Sequence, residues 1–116
     1  MKYAILIYRN EQEVAKKTQD EMQETMGAFF AYTQALREAG ALLAAEALEF
    51  SSTATLISVK DGRRKVQDGP YADTKEQLGG FYLIESPNLD SALEWAARCP
   101  GTSLGSVEVR PVMVFD

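Results

Sequence analysis

The residues of this chain that could perform acid–base or binding chemistry are carboxylates, lysines, arginines, tyrosines and one thiol, because the sequence contains no histidine. Ser-His-Asp and Cys-His nucleophile systems, histidine-ligated haem and the usual zinc sites are therefore excluded within the chain. The phosphate-binding patterns GxGxxG and GxxxxGK(S/T) are absent as well. We expect neither a metal site nor a cofactor.

The most distinctive candidate segment is Asp68-Gly69-Pro70-Tyr71. Glycine supplies an unusual φ, proline fixes the next φ, and the aspartate accepts amides of the turn, so the segment predicts a rigid corner. In a pocket, Asp68 could serve as a general base, whereas the alternative interpretation is a turn-forming aspartate. Tyr71 and Tyr82 offer hydroxyl donors and aromatic walls, or else they are buried in the core or a dimer interface.

The residues after this corner predict an ordered loop. Overlapping cap signals between Asp73 and Gln77 indicate one short helical turn before Gly79 and Gly80. A loop of this length inside a compact domain is more often functional or interface-forming than idle. Lys75 and Glu76 either close a pocket as an ion pair or are solvated. We assign a structural role in the loop to Gly69, Pro70, Thr74, Lys75, Glu76, Gly79 and Gly80.

Three further charged residues are candidate ligand anchors. Glu108 and Arg110 alternate with Val107 and Val109, so they lie on one face of a strand. They either hold a polar ligand or pair with each other. Glu46 either points into a cleft beneath the loop or is a solvated charge at a strand end.

The elements that must position these residues follow from periodicity and cap signals. Met22, Met26, Phe29 and Phe30 recur at near-helical spacing and are expected to belong to the core. Asp61-Gly62 favours a tight hairpin turn. We predict strands at 2–8, 41–50, 81–85 and 106–115, helices at 20–39 and 88–98, and a hairpin of 53–59 with 64–66.

This order predicts an α+β, ferredoxin-like fold with two βαβ units, an antiparallel sheet and an inserted β-hairpin. Right-handed crossovers place both helices on one face of the sheet. Several strands, among them residues 3–8, are nevertheless apolar on both alternating sets. An uncovered apolar face requires a partner or a ligand, and a two-fold homodimer is the commonest solution.

The segments DGPYADTKEQLGGFYLIE, LDSALEWAARCPG and SVEVRPV resemble those of YCII-related proteins of the DGPF type. The resemblance covers most of the chain, with Tyr71 in place of the phenylalanine of the family motif. It implies a dimeric α/β-barrel, ferredoxin-like fold. The wider superfamily includes small-molecule lyases, isomerases and monooxygenases, and YCII-type relatives carry a His-Asp pair proposed to be catalytic. This chain lacks the histidine of that pair.

Composition narrows the class of protein further. The 116 residues fit a single domain, 1–116, and a formal charge of −5 disfavours nucleic acid and anionic lipid surfaces. No stretch approaches the roughly 20 apolar residues of a membrane helix, and we expect no membrane partner. One cysteine and no signal-peptide pattern at the N-terminus favour the cytoplasm.

The functional hypothesis is a homodimer that binds a small organic molecule between the sheet and the loop that starts at Asp68. Such a protein could catalyse lyase- or isomerase-type proton transfer without a cofactor, with Asp68 as base and with Glu46, Tyr71, Glu108 and Arg110 at the ligand. The alternative is a non-catalytic binding or regulatory module, which the family association connects with transcription. A third possibility is a loop that serves dimerisation only.

Overall fold

The computed structural model describes residues 1–70 and 74–115, which form a four-stranded antiparallel sheet, a separate two-stranded hairpin and three helices. In chain order the elements are β1 (Lys2–Arg9), α1 (Glu11–Ala15), α2 (Gln19–Glu38), β2 (Leu42–Ala47), β3 (Thr55–Lys60), β4 (Arg63–Asp68), β5 (Gln77–Glu85), α3 (Leu89–Arg98) and β6 (Gly105–Pro111). Short 3-10 turns occupy Ser51–Thr53 and Pro100–Ser103.

The strand order of the large sheet is β2-β5-β1-β6, and all three neighbouring pairs are antiparallel. The units β1-α2-β2 and β5-α3-β6 interleave, and the hairpin β3-β4 is inserted between them. The predicted ferredoxin-like α+β class is therefore confirmed.

One face of the sheet carries the hydrophobic core. Tyr3, Ile5 and Ile7 of β1 are buried on this face, since alternate residues of a strand point to the same side. Tyr82 and Ile84 of β5 lie beside them. The helices contribute Tyr32, Leu36, Ala92 and Ala96, and the core is completed by Ala41 and Cys99.

The opposite face, which we call the open face, has no helix packed on it in the described structure. The cross-strand register places side chains of the central strands β1 and β5 and of the edge strand β6 next to one another on this face. They are only half-buried, except for Arg110, which is exposed. The open face comprises Ala4, Leu6, Tyr8, Phe81, Leu83, Glu108 and Arg110.

Local signals explain the ends of the helices. The Thr18 hydroxyl accepts from the Glu21 amide, and the Glu21 carboxylate accepts from the Thr18 amide, which is the capping box that the sequence predicts. Gly40 follows α2 with φ of +69°, a backbone conformation that glycine adopts without steric cost. The Asn88 side chain accepts from the Ser91 amide and begins α3.

The structure differs from the predicted elements at four places. Helix α1 was not predicted; its five residues are capped by Asn10, a signal too short to show periodicity. Strand β2 ends at Ala47 and β6 ends at Pro111, both earlier than predicted. Strand β5 begins at Gln77, and residues 74–76 form no helical turn. The side-chain amide of Gln77 donates a hydrogen bond to the Thr74 carbonyl instead.

The predicted core stripe of α2 is wrong for three of its four residues. Met22, Met26 and Phe30 are 47%, 68% and 69% exposed, and only Phe29 packs partly against the core. Helical spacing identifies a shared apolar face, but it does not reveal whether a neighbouring element covers that face. The covered part of α2 is its C-terminal half, at Tyr32 and Leu36.

The hairpin β3-β4 projects from the rest of the chain. Asp61 and Gly62 both take positive φ, 53° and 75°, as the predicted Asp-Gly turn requires. The cross-strand neighbours Ile57 and Val66 are 61% and 54% exposed. The Cα radius of gyration is 16.2 Å, above the value of about 13 Å for a compact domain of this length. No helix in the described parts of the chain meets the length and apolarity needed to cross a membrane.

The Cys99 thiol is 1% exposed, and burial raises its pKa, an effect that the Gly101 amide partly offsets. We therefore expect Ellman's reagent to react with native protein at pH 8 much more slowly than with protein in guanidinium chloride. The Cys99→Ser variant provides the blank. Equal rates in the native and denatured states would contradict the buried placement of this residue.

Candidate functional site

A cavity of about 550 Å³ lies between the N-terminal half of α2 and the adjacent ends of β1, β2 and β5. Most of its wall is apolar. Its lining comprises Ile7, Arg9, Val14, Lys17, Met22, Thr25, Met26, Phe29, Phe30, Thr33, Ala45, Glu46, Ala47, Gly79, Gly80, Phe81, Tyr82 and Leu104.

The exposed apolar side chains of α2 form one wall of this cavity. Met22, Met26, Phe29 and Phe30 all line it. The apolar stripe of α2 therefore faces a space the size of a small ligand. Methionine side chains are flexible and polarizable, so such a wall can adapt to aromatic or aliphatic ligands.

Arg9 brings a positive charge to the cavity from the end of β1. Its Nη2 donates to the Leu48 carbonyl at 2.9 Å, and its guanidinium carbon lies 5.1 Å from the centre of the Phe50 ring. Its Nε is buried and has no hydrogen-bond partner among residues 1–70 and 74–115. No carboxylate of those residues lies within 4 Å of the guanidinium.

Gly79 leaves the space in which the Arg9 side chain lies. A Cβ at position 79 would come within 2.6 Å of Arg9 Nε and 2.7 Å of Arg9 Cδ. The Gly79 carbonyl also accepts from the Leu48 amide at 2.9 Å. Leu48 thus contacts Gly79 through its amide and Arg9 through its carbonyl, and this arrangement fixes the guanidinium beside the cavity.

Two further charged side chains belong to the lining. Lys17 is half-buried, and its Nζ donates to the Thr25 hydroxyl at 3.1 Å. Glu46 is exposed at the edge strand β2, and its register opposite Phe81 directs its carboxylate to the open face. Neither residue forms an ion pair within 4 Å in the described part of the chain.

A pair of hydroxyls, Thr33 and Tyr82, is the remaining polar feature of the lining. Their oxygens are 2.8 Å apart, and Thr33 also donates to the Phe29 carbonyl at 2.8 Å. Because the single Thr33 proton is engaged with Phe29, the Tyr82 hydroxyl is the donor within the pair. Burial raises the pKa of Tyr82, and the Thr33 hydroxyl partly offsets this effect. Tyr82 is therefore a neutral phenol at physiological pH.

The candidate base Asp68 does not lie at this cavity within one copy of the chain. It is the exposed last residue of β4, paired with Thr55 across the hairpin. Gly69 follows with φ of +87°, and its amide donates to the Ala54 carbonyl at 2.7 Å. Pro70 is exposed. Tyr71 lies outside the described residues.

Glu108 and Arg110 lie on the open face, on the side of the sheet opposite to the helices. Arg110 Nε is 3.3 Å from Glu108 Oε2, and the Tyr8 hydroxyl donates to Glu108 Oε1 at 3.2 Å. Burial, followed by the Glu108 carboxylate, raises the pKa of Tyr8. Of the predicted ligand anchors among the described residues, only Glu46 is a lining residue of the cavity, and its side chain shares the open face with Glu108 and Arg110, which form a separate cluster.

The residues predicted to be structural in the loop also fall into two groups, one at the cavity and one away from it. Gly79 and Gly80 line the cavity, and a Cβ on Gly80 would come within 2.8 Å of the Glu46 carbonyl. The Thr74 hydroxyl donates to the Glu76 carbonyl, and the Glu76 carboxylate accepts from the Ser106 hydroxyl at 2.6 Å. Lys75 is exposed. Residues 74–76 therefore form hydrogen bonds within the loop and to β6, and they do not line the cavity.

Sequence reasoning missed Arg9, Lys17 and Thr33 as site residues, whereas Tyr82 was among its candidates. The available signal was a positive charge directly after an apolar strand, but no local pattern shows that this charge faces a cavity.

Among the described residues no group of three or more histidine, cysteine, aspartate or glutamate side chains is placed to hold a metal ion.

Comparison with known proteins places this architecture in a family. The profile of the YCII-related domain matches residues 1–116. The chain belongs to the YCII-related family. A similar relative is an uncharacterized protein of Rhizobium meliloti (strain 1021), which is 37% identical over 117 residues covering 99% of this YCII-related chain and 94% of the relative.

A solved structure shares the fold of this YCII-related protein. It is the 5-chloro-2-hydroxyhydroquinone dehydrochlorinase of Burkholderia phenoliruptrix AC1100 in complex with 2,5-dihydroxybenzoquinone. The TM-score is 0.55 with 14% sequence identity, over 97% of this chain and 94% of the dehydrochlorinase. At this identity the similarity establishes the ferredoxin-like fold only.

The Thr33–Tyr82 contact can be measured by a double-mutant cycle. Tyr82→Phe removes one hydrogen bond and should lower the free energy of unfolding by about 1 kcal/mol. Thr33→Val should cost about 1–3 kcal/mol, because the buried Tyr82 donor loses its acceptor. In urea denaturation the double variant should lose less than the sum of both. Additivity within about 0.5 kcal/mol would show that the two hydroxyls are not coupled.

Proposed function

We propose that this YCII-related protein is a homodimer that binds a small organic molecule in the cavity between α2 and the sheet. The observation that carries the proposal is the cavity itself, whose 550 Å³ fall within the roughly 300–1,000 Å³ of small-molecule sites. Its apolar walls and few polar groups match the usual composition of such sites.

The side chains around the cavity indicate how a ligand would be held. Met22, Met26 and Phe30 would be covered by the ligand, which removes exposed apolar surface from water. The Tyr82 hydroxyl donates its hydrogen bond to Thr33, and its oxygen keeps lone pairs that can accept a hydrogen bond from the ligand.

A more specific form of this proposal is that the protein also catalyses a reaction of the bound molecule. The structural neighbour is a dehydrochlorinase whose complex holds an oxygenated six-membered ring, and lyase- or isomerase-type proton transfer would suit this cavity without a cofactor. Glu46 is the one carboxylic residue among the described lining residues, but its register opposite Phe81 directs its side chain to the open face, so Asp68 of a second copy is the candidate proton acceptor. The alternative is a non-catalytic binding or regulatory module. If the bound compound leaves the protein unchanged, the alternative is correct.

The exposed apolar surfaces support the homodimer. Ile57, Val59 and Val66 share one face of the hairpin, and a hairpin of two strands is at best marginally stable in water without packing. The open face of the large sheet is a second apolar surface. A second copy would cover both surfaces. The third possibility, a loop that serves dimerisation, concerns the same region because Asp68 ends β4.

Filling the cavity tests ligand binding. Ala45 lies opposite Tyr82 across β2 and β5 and lines the cavity, so Ala45→Leu should weaken binding of the neutral fluorophore N-phenyl-1-naphthylamine at least about tenfold. Ala28→Leu adds the same volume to an exposed position of α2 outside the lining and is the matched control. Equal affinity of both variants, or no binding by the parent protein, would contradict the proposed site.

Substitutions in the hairpin β3-β4 test whether the proposed homodimer forms through its apolar face. Native mass spectrometry should give about twice the chain mass of 12.8 kDa. Ile57→Asp places a charge on the apolar hairpin face and should shift the equilibrium to monomer by more than about tenfold. Ser58→Asp puts the same charge on the opposite face and should leave the dimer intact. A monomeric parent protein, or dissociation by both variants alike, would contradict this interface.

A further inference from the structure

We infer that the ligand of this cavity is an organic monoanion, with an apolar body and one carboxylate or comparable oxyanion that Arg9 binds with help from Lys17. The inference rests on the proposed function, since it names the chemical class for the same cavity. It concerns residues that were not predicted as site residues from the sequence.

The hydrogen-bonding capacity of Arg9 is largely unused. A guanidinium carries five N–H donors, and the only hydrogen bond that this side chain makes with the described residues is the one to Leu48. Its buried Nε finds no partner there. A positive charge with free donors beside an apolar cavity is costly unless an anion pairs with it. An oxyanion supplied by a ligand would satisfy both the charge and the donors.

The position of the guanidinium is fixed before any ligand binds. The Leu48 carbonyl holds one end, the Phe50 ring lies against it, and Gly79 provides the space for its side chain. A receptor that is already ordered loses little conformational freedom on binding, so the interaction contributes more to affinity. This arrangement is expected of a binding group rather than of a solvated surface arginine.

The charges of the lining favour one negative charge on the ligand. Lys17 contributes a second cation, and its bond to Thr25 uses one of its three N–H donors. Glu46 is also a lining residue, but its register opposite Phe81 directs its carboxylate to the open face, so it does not offset these two cations. One oxyanion can bind both cations, and the predominantly apolar wall disfavours further ionised groups on the ligand.

The test uses two probes of nearly the same size and shape, one of which is charged and the other neutral. The neutral fluorophore N-phenyl-1-naphthylamine is displaced from the native dimer by 2-naphthoate or by its neutral amide, 2-naphthamide. We expect 2-naphthoate to bind at least about tenfold more tightly than the amide, as a charge-assisted pair allows. This preference should decrease as salt is raised from low to high concentration. Equal affinities of the two probes would overturn the inference while binding of the fluorophore still supports the cavity.

Variants separate a binding role of Arg9 from a structural one. In Arg9→Gln the preference for 2-naphthoate should fall at least about tenfold, with 2-naphthamide affinity changed less than about twofold. Lys17→Gln should reduce the preference by a smaller factor and leaves the contact of Arg9 with Leu48 in place. Equal losses of both probes in Arg9→Gln would assign the residue a structural role and overturn the inference.

A glycine variant provides a test that retains every charge. Gly79→Ala displaces the Arg9 side chain and should lower the preference for 2-naphthoate several-fold, whereas Gly27→Ala, at an open position of α2 with no atom within 4 Å of its new Cβ, should change nothing. An unchanged preference in Gly79→Ala would show that the fixed position of the guanidinium is not what selects the anion. Absence of binding by either probe or by the fluorophore would instead reject the proposed cavity site.

Discussion

The Tyr32 side chain joins α2 to β5, which borders the cavity, and to α3. Its ring packs edge-to-face on Tyr82 of β5 at 5.1 Å and on Trp95 of α3 at 6.2 Å between ring centres. Its hydroxyl donates to the Trp95 carbonyl at 2.7 Å. Such aromatic pairs contribute about 0.5–1.5 kcal/mol each beyond the burial of their area. The C-terminal half of α2 is anchored here, and its N-terminal half extends beyond the core with its apolar side uncovered.

This anchoring explains why an apolar cavity and charged residues occur together. Where the core ends, β1 continues to Arg9, and the polar segment that follows brings Lys17 back toward α2. Since the cavity is bounded by methionine and phenylalanine side chains, the two cations have few protein partners there. A ligand would complete both the apolar packing and the electrostatic pairing. Specificity would then come from the position of one guanidinium, and affinity from the uncovered face of α2.

Much of the fold could be predicted from local patterns. The β-branched and aromatic run of β1, the capping box at Thr18 and the Asp61-Gly62 turn each have a short-range physical cause, and all three elements occur in the structure. The candidate site was harder to predict because it depends on which faces are covered. The periodicity of Met22, Met26 and Phe30 was correct, but their assignment to the core was wrong, since α2 is longer than the surface that it covers.

The placement of the charged candidates shows the same limit. Glu108 and Arg110 were correctly predicted to share a strand face, yet that face lies away from the helices. Arg9 was not predicted as a site residue because its contacts with Leu48, Phe50 and Gly79 join segments about 40 and 70 positions apart. Sequence patterns report local periodicity, whereas a site of this kind arises from long-range packing.

The most direct measurement of the central claim is a crystal structure of the protein with 2-naphthoate. We predict that the naphthalene ring lies against Met22, Met26 and Phe30, with the carboxylate within hydrogen-bonding distance of the Arg9 guanidinium. A ligand on the open face of the sheet, or one in the cavity with its carboxylate directed away from Arg9 into solvent, would contradict this prediction.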